Sequence, residues 1–115
     1  MDSAIVFTYT RPHPGREAAA FEVFEDALTF FGKLAADGKC LEPEVFVGPH
    51  AKGVLVVKGE RDALRAIIDT EDFTRFYLKA GYAVPDIGYE MYEFGEGVTT
   101  LMGLWATVGK ELTYM

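Results

Sequence analysis

Two segments of this 115-residue chain are apolar at every position, and they restrict the folds it can adopt. They are Ile5-Val6-Phe7 and Val54-Leu55-Val56-Val57, and their β-branched and aromatic residues are typical of strands. Because side chains alternate between the two faces of a strand, each segment presents apolar groups on both faces. An antiparallel sheet with one face in water would alternate apolar and polar residues instead. The sequence therefore predicts a sheet that is covered on both sides.

The other elements are predicted from hydrophobic spacing and from turn residues. A helix is indicated by apolar residues at steps of three and four, and it ends at Asp37-Gly38, where Gly38 suits a left-handed cap. A second helix begins after Glu60 and restarts at Asp69–Asp72, where the sequence is typical of a new N-cap. The predicted elements are strands at 3–10, Leu41–Val47, Val54–Lys58 and Ile87–Phe94, the first helix with its stripe Phe21, Phe24, Leu28, Phe31 and Ala35, the interrupted second helix, and a C-terminal helix over 98–112.

The first six elements, in the order βαββαβ, predict an α+β fold of the ferredoxin-like type. Right-handed crossovers place both helices on one face of an antiparallel sheet with strand order 4-1-3-2. We expect one domain over residues 1–115, with residues 3–94 as its core. The second face needs a cover, and the favoured one is the sheet of a second copy, which gives a homodimeric barrel. The C-terminal helix is the alternative, either on its own sheet or across on the partner's.

The stretch LAADGKCLEPEVFVGPHAKGVLVVKGERDALRAIIDTEDF, from Leu34 to Phe73, resembles the dimeric α+β barrel superfamily, especially its YCII-related members. The shared features are a helix that ends in a Gly-Lys step, a Gly-Pro turn, an apolar strand, and a Glu-rich helix that leads into an acidic restart. The resemblance implies a dimeric barrel. YCII-related proteins usually carry a His in the first helix and an Asp-Pro where this chain has Glu71-Asp72-Phe73, so their His/Asp pair does not transfer. Other members are cofactor-free monooxygenases, dehydratases, isomerases or haem-handling proteins, and the fold alone selects none of these activities.

Charge and cysteine content exclude several classes of protein. The net charge is −7 with no basic stripe, which disfavours binding to nucleic acid or to an anionic membrane. Cys40 is the single cysteine, so the chain has no internal disulfide framework, and we expect it to be buried and unreactive. The start of the sequence is not typical of a signal peptide. A cytoplasmic protein is the expectation.

Three loops are predicted to meet at one end of the sheet: Arg11–His13, Pro49–Lys52 and Tyr82–Asp86. They would bring together His13 and His50 as candidate acid/base groups, Arg11 as an anchor for an anionic group, and Asp86 as a further ligand contact. The alternative is that these are ordinary polar turns. Two loop histidines and one carboxylate are few ligands for a metal ion, which needs three or four in place, so no metal is predicted.

Strand two raises a similar choice. Glu42, Glu44 and Phe46 would share one face of this edge strand, and charges beside Pro43 are typical of edges that must avoid unwanted pairing. The functional alternative makes Glu44 a candidate catalytic group, with Glu42 and Phe46 as ligand contacts.

Two tyrosines have alternative interpretations, and so does the function of the protein as a whole. Tyr9 and Tyr92 either pack with satisfied hydroxyls or donate a hydrogen bond to a ligand. The glycines match no dinucleotide or Walker pattern, and the aromatic stripe of the first helix is interpreted as core. The favoured function is therefore a small-molecule binder or enzyme with an apolar cavity and no tightly bound cofactor. The alternative is a non-catalytic assembly module, or one that binds a partner protein through the helix of Trp105.

Overall fold

The structure is a computed structural model that describes residues 2–49 and 52–112. Its strands and helices follow the predicted order, with the second helix divided in two. The elements are β1 (Ser3–Tyr9), α1 (Glu17–Ala36), β2 (Glu44–Val47), β3 (Gly53–Gly59), α2 (Arg61–Ile68), α3 (Glu71–Ala83), β4 (Gly88–Glu93) and α4 (Glu96–Leu112).

The four strands form one antiparallel sheet with the order β2-β3-β1-β4, which confirms the predicted ferredoxin-like topology. β1 is central and pairs with β3 from Ser3 opposite Gly59 to Tyr9 opposite Gly53. The edge strand β2 begins at Glu44 and is shorter than predicted. Pro43, the residue before it, has no N–H to donate to the ladder, which accounts for the late start.

The main core lies between the sheet and helices α1, α2 and α3. On this helix side of the sheet, Ile5, Phe7, Leu55 and Val57 are all buried. The ring of Phe7 is central, with its centroid 5.7 Å from that of Phe31 on α1. Packing of large apolar and aromatic side chains on one face of the sheet is the main source of stability in such a layer.

The predicted helix ends are confirmed at two places. Gly38 follows α1 with a φ of 77°, a left-handed conformation that glycine adopts without a side-chain clash. Thr70 caps α3, because its side chain accepts a hydrogen bond from the backbone N–H of Phe73 at 3.1 Å. This cap explains why the second helix stops at Ile68 and restarts at Glu71.

The opposite side of the sheet, which we call the open face, is covered by none of the described helices. At its centre Val6, Val54 and Val56 are partly exposed. Phe46 and Tyr92 flank them and are 56% and 51% exposed. The register assigns the open face to Ala4, Val6, Thr8, Glu44, Phe46, Val54, Val56, Lys58, Glu90 and Tyr92.

Helix α4 begins two residues earlier than predicted and contacts β4. None of its described residues is buried, so it does not cover the open face of its own sheet. Of the described helices, none is both long and apolar enough to span a membrane.

Candidate ligand cavity

A cavity of about 290 Å³ lies between the first half of α1 and the helix side of the sheet. Its floor comes from β1 and β3, one wall from α1, and the other from α3 and the segment that follows it. Its lining is almost entirely apolar: Phe7, Tyr9, Pro12, Glu17, Ala20, Phe21, Val23, Phe24, Ala27, Val47, Leu55, Phe76, Val84 and Ile87.

The cavity exists because the apolar stripe of α1 is not uniformly packed. Phe31, in the second half of the helix, is completely buried, whereas Phe21 in the first half is 66% exposed. On the same helix, the small side chains of Ala20 and Ala27 line the cavity and leave space that a larger residue would fill. The interpretation of the whole stripe as core was therefore wrong for its first half. Alanines spaced seven apart on an otherwise aromatic helix face were the available signal.

Tyr9 is the one hydroxyl-bearing residue of the described cavity lining. It extends from the end of β1 on the helix side of the sheet, and burial raises the pKa of its phenol above the ordinary value of 10.0. The hydroxyl is therefore protonated at neutral pH and can donate a hydrogen bond to a ligand oxygen. Among the described residues of the lining, Glu17 is the only carboxylate, and it lies exposed at the mouth, where it accepts a hydrogen bond from the N–H of Gly15 at 3.3 Å.

Tyr9 also lines a second depression, the rim pocket, of about 470 Å³. The rim pocket opens at the end of the sheet and brings together three of the predicted ligand contacts, Tyr9, Phe46 and Asp86. It is more polar than the cavity, and its remaining lining is Thr8, Thr10, Val47, Gly48, Lys52, Gly53 and Val54.

Asp86 connects the residue after β1 to the segment that precedes β4 through hydrogen bonds. Its carboxylate accepts hydrogen bonds from the backbone N–H of Thr10, at 3.1 Å, and from the Thr10 hydroxyl. The Thr10 hydroxyl is the largest cause of a pKa below the usual value of 3.8 for this carboxyl. Asp86 is thus engaged in holding a loop, although its exposed position leaves it accessible at the rim.

The predicted meeting of the first and third loops is found. The N–H of His13 donates to the carbonyl of Ala83 at 2.9 Å, and the Arg16 guanidinium donates to the carbonyl of Tyr82 at 2.6 Å. The side chains of Arg11 and His13 are exposed and do not line the cavity. His50 lies outside the described residues, so its predicted role stays a prediction.

The structure separates the two glutamates that were predicted to share a face. Glu44 lies on the open face and forms an ion pair with Lys58 at 3.4 Å. Glu42 precedes β2, and its Oε2 lies 3.9 Å from the position that a Cβ on Gly32 of α1 would take. Burial, and then the charge of Glu42, raise the pKa of the Cys40 thiol. Cys40 is 4% exposed, as expected of an unreactive core thiol.

The remaining predicted contacts, Phe46 and Tyr92, lie on the open face, away from the cavity. A hydrogen bond with Glu90 raises the pKa of Tyr92 above 10.0. Within residues 2–49 and 52–112, no three His, Cys, Asp or Glu side chains are grouped as a metal site.

Comparison with known proteins shows similarity in fold and not in sequence. No family model matches the chain, which leaves the YCII resemblance without support at that level. No curated protein matches either. Solved structures do match, with TM-scores of 0.61 to 0.64 for the three described below. Their similarity to this chain establishes the fold alone.

Three of these structures illustrate the range. A conserved protein of unknown function from Bacteroides thetaiotaomicron has a TM-score of 0.64 at 14% identity, over 81% of this chain and 98% of its own. A cofactor-independent oxygenase from Streptomyces nogalater has a TM-score of 0.62 at 14% identity, over 80% and 92%. An antibiotic biosynthesis monooxygenase has a TM-score of 0.61 at 18% identity, over 83% and 99%.

Proposed function

We propose that this protein binds a compact, largely apolar small molecule in the cavity beneath α1, and that Tyr9 donates a hydrogen bond to an oxygen of that molecule. The observation that carries the proposal is the cavity itself, a half-open and largely apolar pocket of about 290 Å³ whose described lining includes one hydroxyl-bearing side chain, Tyr9. That size is at the lower end of the range for small-molecule pockets, which are about 300–1,000 Å³ and mostly apolar with a few polar groups.

The lining also indicates the class of ligand. Phe7, Phe21, Phe24 and Phe76 surround the space, and aromatic faces and edges pack best against flat rings. The only charged group of the described lining, Glu17, is a carboxylate at the mouth, which disfavours an anionic ligand. The ligand class is therefore a neutral aromatic or alicyclic molecule with a carbonyl or hydroxyl oxygen.

The similar structures raise one reaction to test, which is oxygenation without a cofactor. A protonated Tyr9 is a hydrogen-bond donor and not a base, and Glu17 lies at the mouth. The described lining therefore supports binding better than acid–base catalysis. Oxygen consumption after addition of a bound ligand would extend the proposal from binding to catalysis.

A thermal-shift screen of neutral aromatic alcohols, ketones and quinones tests the binding proposal, because a ligand that binds the folded state raises the melting temperature. Ala20→Phe fills the cavity and should abolish the shift. Ala19→Phe adds the same side chain to an exposed position of α1 outside the lining and should retain it. If no compound stabilises the wild type, or if both variants respond as it does, the non-catalytic alternative is favoured.

We also propose that the protein is a homodimer whose open faces pack together. The face has an apolar centre of three valines and a rim that contains the Glu44–Lys58 ion pair. This arrangement resembles protein interfaces, which have an apolar core and a polar rim. Burial of apolar surface at roughly 25 cal/mol per Å² supplies the driving force.

A further inference from the structure

We propose that helix α4 packs along its apolar face against α4 of a second copy of this chain. This contact goes beyond the cavity and the open face, because α4 belongs to neither.

The spacing of apolar residues along α4 is that of a helix–helix seam. Val98, Leu101, Trp105, Val108 and Leu112 follow one another at steps of 3, 4, 3 and 4. These steps are the a and d positions of a heptad, whose side chains interlock with those of a facing helix. Met102 and Leu104 flank the seam, so the apolar face covers an arc of about 160° at 100° per residue.

Every side chain of the seam is exposed in the single chain. The seven large apolar side chains of α4 are each between 40% and 68% exposed, and Trp105 is the most exposed of them. Monomeric proteins rarely leave such a continuous apolar patch in water. The helix also contains Gly97, Gly103 and Gly109, which weaken helices, so a partner surface is needed to stabilise it.

The start of α4 is anchored beside β4, and this anchor keeps the rest of the helix off the open face. The N–H of Phe94 donates to the carbonyl of Asp2 at 2.8 Å, and Gly95 turns the chain with a φ of 58°. A Cβ on Gly97 would lie 2.9 Å from both the Asp2 carbonyl oxygen and Glu93 Oε2. Only glycine allows this close approach, which fixes the direction in which α4 leaves the sheet.

The charge of α4 disfavours a lipid surface as the occupant. Helices that lie on membranes are rich in Lys and Arg on their polar face. The polar side of α4 carries two carboxylates and one ammonium group, those of Glu96, Glu111 and Lys110, beside three threonines, and the whole chain has a net charge of −7. A seam without charged residues is instead self-complementary, as a two-fold contact between identical helices requires.

The available area fits a contact between two copies that works together with the open face. At roughly 100 Å² for each half-exposed large side chain, α4 removes about 700 Å² per chain from water. A stable interface needs about 800 Å² from each partner. The helix seam alone therefore falls short of what a stable dimer needs, and the open face supplies the rest.

Cysteine cross-linking of the full chain tests helix-to-helix packing directly. Trp105 is the third of the five seam residues, so in a parallel pair it faces its own counterpart, and in an antiparallel pair it lies close to that counterpart beside the two-fold axis. Trp105→Cys should form a covalent dimer under mild oxidation. Thr107→Cys, on the polar side of the same helix, should stay monomeric on a non-reducing gel. Cys40 is buried and does not interfere.

Two further measurements complete the test. Leu101→Glu should raise the dimer dissociation constant at least tenfold by light scattering, while Thr100→Glu should leave it unchanged. In the wild type, emission of Trp105, the single tryptophan, should shift to the red on dilution. Far-UV circular dichroism checks folding, which these variants should not disturb because no α4 residue is buried.

Equal cross-linking of the two cysteine variants, or none in either, would overturn the pairing of the two helices. An effect of Leu101→Glu without cross-linking at position 105 would also overturn it, because α4 would then dock elsewhere on the second copy. Loss of ligand binding in the cavity would leave this inference untouched, so the two proposals fail separately.

Discussion

The ring of Tyr9 lies across the backbone of Gly53, its direct partner on the neighbouring strand, and a Cβ at position 53 would overlap the Tyr9 hydroxyl. Glycine at this position therefore determines where the hydroxyl of the proposed site lies. Tyr9 in turn covers a strand position that has no side chain, which limits the loss of packing that glycine causes within a sheet.

Gly53→Ala should displace Tyr9 and destabilise the protein by about 1–3 kcal/mol, the usual cost of overpacking. It should also remove ligand stabilisation in the thermal-shift assay, because the donor has moved. Gly88→Ala is the matched control, since a Cβ there has no neighbour within 4 Å. That variant should leave the free energy of unfolding unchanged or raise it by about 0.5 kcal/mol. Equal effects of the two substitutions in urea unfolding would contradict the account of Tyr9.

Tyr9→Phe should weaken ligand binding without loss of the fold. Removal of one neutral hydrogen bond costs about 0.5–1.5 kcal/mol, which corresponds to a rise in Kd of roughly twofold to just over tenfold. Titration calorimetry with the best compound of the screen measures this change. A Kd that does not change would show that the hydroxyl does not contact the ligand.

The same variant should alter the dependence of stability on alkaline pH. Burial raises the Tyr9 pKa above 10.0, so above pH 10 the unfolded chain loses this proton more readily than the folded one. Stability therefore falls as pH rises from 10 to the higher pKa of the folded state. Urea unfolding at pH 9 and pH 11 should show a smaller decline in Tyr9→Phe. Contributions from Cys40 and Tyr92, whose pKa values are also raised, are present in both proteins and cancel.

The topology could be predicted from the sequence because its signals are local. Segments such as Val54–Val57 identify central strands, and Gly38 and Thr70 mark helix ends through their own backbone chemistry. The helical spacing of Phe21 and Phe31 was equally clear. Spacing gives the face of a helix but not its distance from the sheet, and that distance determines whether a residue is core or cavity wall.

The predicted site residues depended on contacts between residues that are distant in the sequence, and the sequence specifies such contacts less directly than it specifies topology. The pairing of Glu42 with Glu44 assumed a regular strand through Pro43, and the strand begins only at Glu44. The meeting of the loops at His13 and Tyr82–Asp86 follows from topology and was predictable. Which side chains of those loops point at a cavity is not determined by topology, and only Tyr9 among the predicted contacts lines the cavity.

Asp86→Asn should weaken the hydrogen bonds that connect the end of β1 to the segment before β4. The folded-state pKa of Asp86 is lower than 3.8, so its contribution to stability is present above that value and disappears as pH falls through the folded pKa. At pH 7 we expect a loss of about 0.5 kcal/mol, at the lower end for a hydrogen bond because the group is exposed. The difference from wild type in urea unfolding should shrink as pH falls below 3.8 and vanish once pH is below the folded-state pKa.

Thr10→Val provides the second arm of this test, because it removes the hydroxyl that donates to Asp86 while the backbone N–H remains. The two substitutions break one shared interaction, so their effects together should be smaller than their sum. Strict additivity would mean that the hydroxyl and the carboxylate do not interact.

Val56→Lys should dissociate the proposed dimer at the open face. Val56 lies at the centre of that face, opposite Val6 on β1 and Glu44 on β2. The long lysine side chain can remain in water in the single chain, and the neighbouring carboxylate of Glu44 offsets its charge. In a closed interface the same ammonium group would lose its hydration without a buried partner, which is strongly unfavourable. Light scattering should therefore show a monomer for Val56→Lys. Thr74→Lys, at an exposed position of α3, should keep the mass of the wild type, and a dimer that survives Val56→Lys would show that the open faces do not meet.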